Sequence, residues 1–428
     1  METKQNVNAG VALDNINNLQ QMWNAVTAAY AAGTDDSLAM YNVYQVMSPR
    51  LSFQDISDVF SGVYIDTYWN ITAVDPTVLA QHLVQGLGID RGLALQYANN
   101  SVSQWRGPLL RKNISDVGTV PVVGDFTASL DIVCNGDGEL LPQNLINNWN
   151  DTFWSQPKIG KNYIYARVQN AYFKGAFTPT TQMFYSTGGF NQPPTSWVQC
   201  NTAKDPTKQV GVVYNQQGVV AALNVGDRGC SEAFMFNPVN ADHVCVIAAM
   251  ATDYFTSNTP KDKKQGNFDS MYWITHNGGA AWHNVDPQLH VEDSLAFFNQ
   301  DGSHEAFKFT LACQNVPVGS TIRLRSDDAS LGFDTGDVKV VSSNQILSHL
   351  VTLPPNYEGA LKIKLQDPAG NCLPVNAAAK LSMDWVVPVS HPRYADSVPL
   401  VNVRLLHAQQ PLNLSLGSFT LTGSGRQG

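Results

Sequence analysis

The chain has 428 residues, 43% of them hydrophobic and 14% charged, with a net charge of −9. That length exceeds one ordinary core, and that apolar content excludes a disordered chain. The charge argues against nucleic-acid binding, which needs a concentrated cationic face; the densest basic stretch is Lys261-Asp262-Lys263-Lys264.

The opening residues, Met1-Glu2-Thr3-Lys4-Gln5-Asn6, hold no apolar segment. No Sec signal peptide is expected, so the chain is placed in the cytoplasm at synthesis. Action outside the cell would then require a non-Sec route or release by lysis. No stretch reaches the ~20 apolar residues of a membrane span. Six cysteines, at 134, 200, 230, 245, 313 and 372, are too scattered for a disulfide scaffold and read as buried thiols.

Up to about residue 106, apolar residues recur every three or four positions, as helices require. Residues 11–32 carry Leu13, Ile16, Leu19, Trp23, Val26 and Tyr30 on one stripe, ended by Gly33. Residues 36–48 form a second predicted helix, stopped by Pro49. A third starts at Ser52 and carries Phe53, Ile56, Phe60 and Tyr64. Asp75-Pro76 is a start signal, because the carboxylate caps orphan N–H groups and Pro has none to lose. That helix carries Leu79, Leu83 and Leu87, and a last one follows Asp90. These elements predict a helical bundle over 1–106.

Residues 107–128, punctuated by Gly107-Pro108, Gly118, Pro121 and Gly124, read as a linker. Strand patterns then follow at 130–134, 163–170, 181–185, 210–214, 233–236, 244–251 and 280–285, separated by turn residues. They predict a β-sandwich over 129–289. A second set at 307–312, 321–325, 338–341, 348–353, 360–366, 380–386, 401–406 and 418–422 predicts another over 290–428. The expected fold class is α+β and multidomain: an N-terminal helical bundle followed by two antiparallel immunoglobulin-like β-sandwiches.

Within the first β set, Asn162-Tyr163-Ile164-Tyr165-Ala166-Arg167-Val168-Gln169-Asn170 precedes Met183-Phe184-Tyr185-Ser186 and Pro193-Pro194-Thr195-Ser196-Trp197. Together with 129–133, 243–248 and 281–285, this region resembles bacterial immunoglobulin-like modules of the cell-adhesion-related type. The resemblance spans residues 131–286. It implies a sandwich with a binding, spacer or assembly role and no catalytic residues.

Asp131, Asn135, Asp137 and Glu139 surround a Gly-rich turn and form a candidate calcium loop, without the full twelve-residue spacing. Calcium is the one cofactor this leaves open. Asp327, Asp328, Asp334 and Asp337 form a second acidic loop. Cys230, His243 and Cys245 supply three zinc-type ligands with no fourth nearby. His276, His283 and His290 cluster beside Trp282 and could switch charge near neutral pH. Gly-x-Ser-x-Gly, His-Glu-x-x-His and a Gly-Lys-Ser/Thr loop are all missing, and His304-Glu305-Ala306-Phe307-Lys308 fails the zincin pattern at its last position.

These readings predict a non-enzymatic modular binding or assembly protein, of the exported bacterial, host-interacting kind (toxin-like or adhesin-like). One alternative is a structural particle subunit such as a capsid, tail or filament protein. Another is a carbohydrate-active enzyme with accessory sandwiches. The expected partners are a protein or glycan on a target cell, or copies of the chain itself in a homo-oligomer.

Overall fold

A computed structural model describes residues 107–155, 157–171, 176–238, 244–252, 270–285, 291–401 and 410–423, with Trp105, Asn258 and a few positions between 80 and 95. The helices predicted over 11–64 lie outside the described residues. Of the described residues 43% are strand and 11% helix, and no helical bundle is among them. The α+β assignment is therefore corrected to a predominantly β fold. The described α-helices beyond residue 95 are short, of one to two turns, and lie against sheets: α1 (Pro142–Asn147), α2 (Ser270–His276) and α3 (Tyr394–Ser397).

The first β unit contains β1 (Pro108–Leu109), β2 (Ile132–Asn135), β3 (Asn162–Asn170), β4 (Thr180–Thr187), β5 (Gly189–Phe190), β6 (Val198–Gln199), β7 (Gly211–Asn215), β8 (Arg228–Ser231), β9 (Phe234–Phe236), β10 (Val244–Ala251) and β11 (Ala280–Asn284). Its main path runs β1-β3-β8-β7-β4-β10-β11, and β2 also pairs with β3. Ala128 bridges to His283 of β11. The Ser129 N–H donates to Trp282 O, and the Asn284 N–H donates to Thr127 O. The segment 127–129 leads through the turn at Leu130-Asp131 into β2, which pairs with β3, so the sheet closes on itself as a barrel.

Val244, Val246, Ala248 and Met250 of β10 fill the barrel with Ile164, Ala166, Met183 and Phe234. Cys245, Ile247 and Ala249 of the same strand face outward into a second core. A strand buried on both faces has no reason to alternate in polarity, which explains the unbroken apolar run at 244–250.

The second β unit contains β12 (Glu292–Phe298), β13 (Glu305–Gln314), β14 (Thr321–Ser326), β15 (Val338–Lys339), β16 (Ile346–Leu353), β17 (Glu358–Gln366), β18 (Ala378–Val387) and β19 (Leu412–Thr422). One sheet has the order β15-β14-β17-β12-β5 and the other β16-β13-β18-β19. From β12 to β18 the chain crosses between sheets at almost every connection. An immunoglobulin-like sandwich instead keeps its first two strands in one sheet. The unit is a β-sandwich, but not of immunoglobulin-like topology. The strand predicted at 401–406 lies almost wholly outside the described residues.

Barrel and sandwich share one core. Phe184, Trp197, Ile247, Trp273 and Trp282 from the first unit cluster with Phe297, Phe309, Leu381 and Phe419 from the second. Trp197 meets Trp282 edge-on at 5.3 Å between centroids, and Phe190 meets Phe419 at 5.1 Å. Each such burial contributes about 1.5–3 kcal/mol, so the seam is a strong one. The predicted linker is packed as well: Phe126 joins this shared core, Leu110 the barrel interior, and Leu109 and Val120 are buried.

The seam also joins the sheets: β5 pairs in parallel with β12, Gly189 opposite Ala296 and Phe190 opposite Phe297. A Cβ on Gly189 would stand 2.4 Å from Ala296 O. Gly189→Ala is expected to part β5 from β12 and cost about 1–3 kcal/mol through overpacking. Urea unfolding of this variant beside Gly302→Ala, where a Cβ meets nothing within 4 Å, checks the expectation. Equal midpoints for the two variants would refute it.

Candidate functional site

The four oxygen-bearing residues of the candidate calcium loop do not converge. Asp131 is fully buried. Its Oδ2 accepts from the Arg111 backbone N–H at 2.7 Å and from Arg111 Nε at 3.0 Å, and Oδ1 accepts from Arg111 Nη2 at 2.7 Å. Arg167 Nε lies 3.3 Å from Oδ1. Both guanidinium groups stack over Trp149, at 4.2 and 5.4 Å from its ring centroid. Asn135 closes the turn by donating to Gly138 O at 2.8 Å. Asp137 pairs with Lys158 in solvent. Glu139 is exposed and lines a cavity beside α1. The reason is local: 132–135 is an extended strand, which sets Asp131 and Asn135 about 13 Å apart.

The other candidate clusters also separate. In the second acidic loop, Asp334 and Asp337 are engaged by Arg323, and Asp337 also by Lys364. Asp328 caps a short turn by accepting from the Ser330 N–H at 2.9 Å. Cys230 packs toward α1, whereas Cys245 sits in the seam; His243 lies outside the described residues. All six cysteines are free and buried. His276 is buried on α2 and His283 half-buried on β11, and His290 lies outside the described residues. Burial holds both described rings well below the ordinary histidine range, at about 4, so neither switches charge near neutral pH. Among the described residues no three His, Cys, Asp or Glu side chains gather as a metal site would require.

One surface feature differs from the rest. Among the described residues β16 ends the four-stranded sheet and pairs with β13 alone, in eight consecutive antiparallel registers without a bulge. Its alternation sends Val351 and Leu353 into the core and Ile346, Ser348, Leu350 and Thr352 outward. Ile346 is 67% exposed and Leu350 60%, with Val341 at 78% just upstream. His349, on the inward side, stacks on Phe333 at 4.5 Å and ties the strand to the facing sheet. Ser348 Oγ lies 3.1 Å from Thr310 Oγ1 on the outer face.

No Asp, Glu, Lys or Arg occurs between Lys339 and Glu358, and Pro first appears at 354, after the strand has ended. Edge strands are ordinarily guarded by charge, Pro, a bulge or a cover, since their unpaired backbone groups otherwise recruit another strand. β16 carries no charge, proline or bulge. The uncharged stretch is visible in the sequence. That it lies at an edge follows only from the strand order.

Among the described residues, no helix is long and apolar enough to cross a membrane. No family model matches the chain, and no curated protein matches it.

Proposed function

We propose that this chain is a non-enzymatic assembly protein, a structural subunit that joins copies of itself through β16. The observation that carries the reading is the straight, uncharged edge with Ile346 and Leu350 on its outer face. A second copy is the natural occupant, because antiparallel pairing of a strand with itself is self-complementary about a two-fold axis. Centring that axis on Ser348 sets Ile346 of each copy directly opposite Leu350 of the other. Both residues of each such pair stand on one face, so two Ile–Leu contacts form alongside the new backbone hydrogen bonds. Cross-strand apolar pairs contribute about 0.2–1 kcal/mol each, which favours this register over a one-residue slip. Two four-stranded sheets become one of eight strands.

Sedimentation of the full chain tests the proposal. Wild type is expected to sediment as a dimer or larger species. Ile346→Lys with Leu350→Lys is expected to leave a folded monomer, because a cation at the edge repels its copy and cannot be buried cheaply. Ser348→Cys is expected to give a disulfide-linked dimer under mild oxidation. A wild-type monomer at high concentration, or a double variant that assembles unchanged, would sink the reading.

A further inference from the structure

The cleft noted beside Glu139 has a volume of about 330 Å³, is open to solvent on one side, and lies between α1 and the rim of the barrel. That is the small end of the ~300–1,000 Å³ found for ligand sites and suits one or two sugar rings. Its wall is assembled from distant parts of the chain: the turn before α1, β3, the loop at 204, β7 and the link between β8 and β9.

The polar groups in it balance donors against acceptors. Glu139 and Lys204 form no ion pair among the described residues. Glu232 Oε1 accepts from the Val212 N–H at 2.9 Å, which leaves Oε2 for a ligand. Tyr165 Oη accepts from the Leu140 N–H at 2.7 Å, so its own proton remains to be donated. Tyr214, half-buried, adds an aromatic wall. The turn at Gly218, with φ +74°, makes room for the Gln143 amide; a Cβ there would stand 1.6 Å from Gln143 Nε2.

We infer that this cavity is a binding site for a neutral sugar. An anionic ligand would meet Glu139 and Glu232, and a cationic one, though drawn by them, would give Lys204 no acceptor. A polyol offers hydroxyls that donate to the carboxylates and accept from Lys204, Gln143 and Tyr165. Its C–H face packs on an aromatic ring. The site is separate from β16, so it does not depend on assembly.

Saturation-transfer NMR with the methyl glycosides of glucose, galactose and mannose, together with an array of neutral, sialylated and sulfated glycans, tests the inference. The full chain carrying Ile346→Lys and Leu350→Lys is included, so that loss of assembly and loss of sugar binding are read separately. Binding to at least one neutral series at millimolar concentration is expected. Glu139→Gln, at an exposed position, and Tyr214→Ala are each expected to weaken it roughly tenfold. No neutral glycan binding, binding of sialylated or sulfated glycans alone, or undiminished binding in both variants would overturn the inference.

Discussion

Replacing Asp131 with Ala is expected to lower global stability by about 3–5 kcal/mol, or to prevent folding altogether. The carboxylate is fully buried between Arg111 and Arg167, and it accepts three hydrogen bonds from Arg111 alone. Without it, two guanidinium groups remain in the interior with no buried carboxylate beside them, since Asp151, which also acts on Arg167, is exposed. Their other contacts do not release them: Arg111 Nη2 also donates to Trp149 O at 2.7 Å, and Arg167 Nη1 to Asn148 O at 3.1 Å. Burial already pulls the Arg167 guanidinium below the usual arginine range, and Asp131 is the main group pushing it back. Asp131→Asn keeps the shape and loses the charge, so it should cost nearly as much as Asp131→Ala. Asp137→Ala removes an exposed partner of Lys158 and should stay within about 0.5 kcal/mol. Urea denaturation of the three variants measures this. A drop at Asp131 no larger than at Asp137 would show that the buried centre contributes nothing.

The second large effect is acid lability. His276 and His283 are held at about 4 in the folded chain, chiefly by burial, against 6.5 as the ordinary value. His283 stacks on Trp154 at 3.7 Å, and its Nδ1 donates to Ser129 O at 2.7 Å, so the ring sits neutral in the wall that closes the barrel. His276 lies parallel to the Tyr272 ring, 5.6 Å away. Between pH 6.5 and about 4 the unfolded chain binds two protons that the folded chain refuses. Stability therefore rises with pH across that window and falls as the solution is acidified. Each pH unit of displacement is about 1.4 kcal/mol, so each ring withdraws about 3 kcal/mol by pH 4.

Glu305 acts later on the same descent. Burial pushes its carboxyl up, but hydrogen bonds from Ser303, Trp385 and His391 hold it below the usual carboxylate range. Its contribution is lost only at more acid pH. Denaturation midpoints measured from pH 7 to 4 should fall steeply, and His276→Gln with His283→Gln should flatten the fall. A wild-type midpoint unchanged across that range would contradict the lowered titration of both rings.

These expectations mark how far the linear chain can be read. Strand positions were largely visible, because alternation and turn residues are local: 163–170, 181–185 and 360–366 each lie within an observed strand. The apolar run at 244–250 announced a strand, and its two buried faces became clear only from the neighbours on either side. The proposed calcium loop failed because spacing along a chain is not spacing in space. Asp131 turned out to face two arginines, Arg111 from the predicted linker and Arg167 from the next strand. The cavity beside Glu139 draws on residues from 139 to 233, and no local pattern links them.

The amino-acid order alone therefore set the β character of residues beyond 130, the sparse charge, the buried thiols and the uncharged stretch before Glu358. The tertiary structure decided that one β unit closes into a barrel, that both units share a core, and that β16 lies at an edge. The division has a physical cause. Alternation and turn propensity act over a few residues, whereas strand order and closure depend on contacts between segments far apart in the chain.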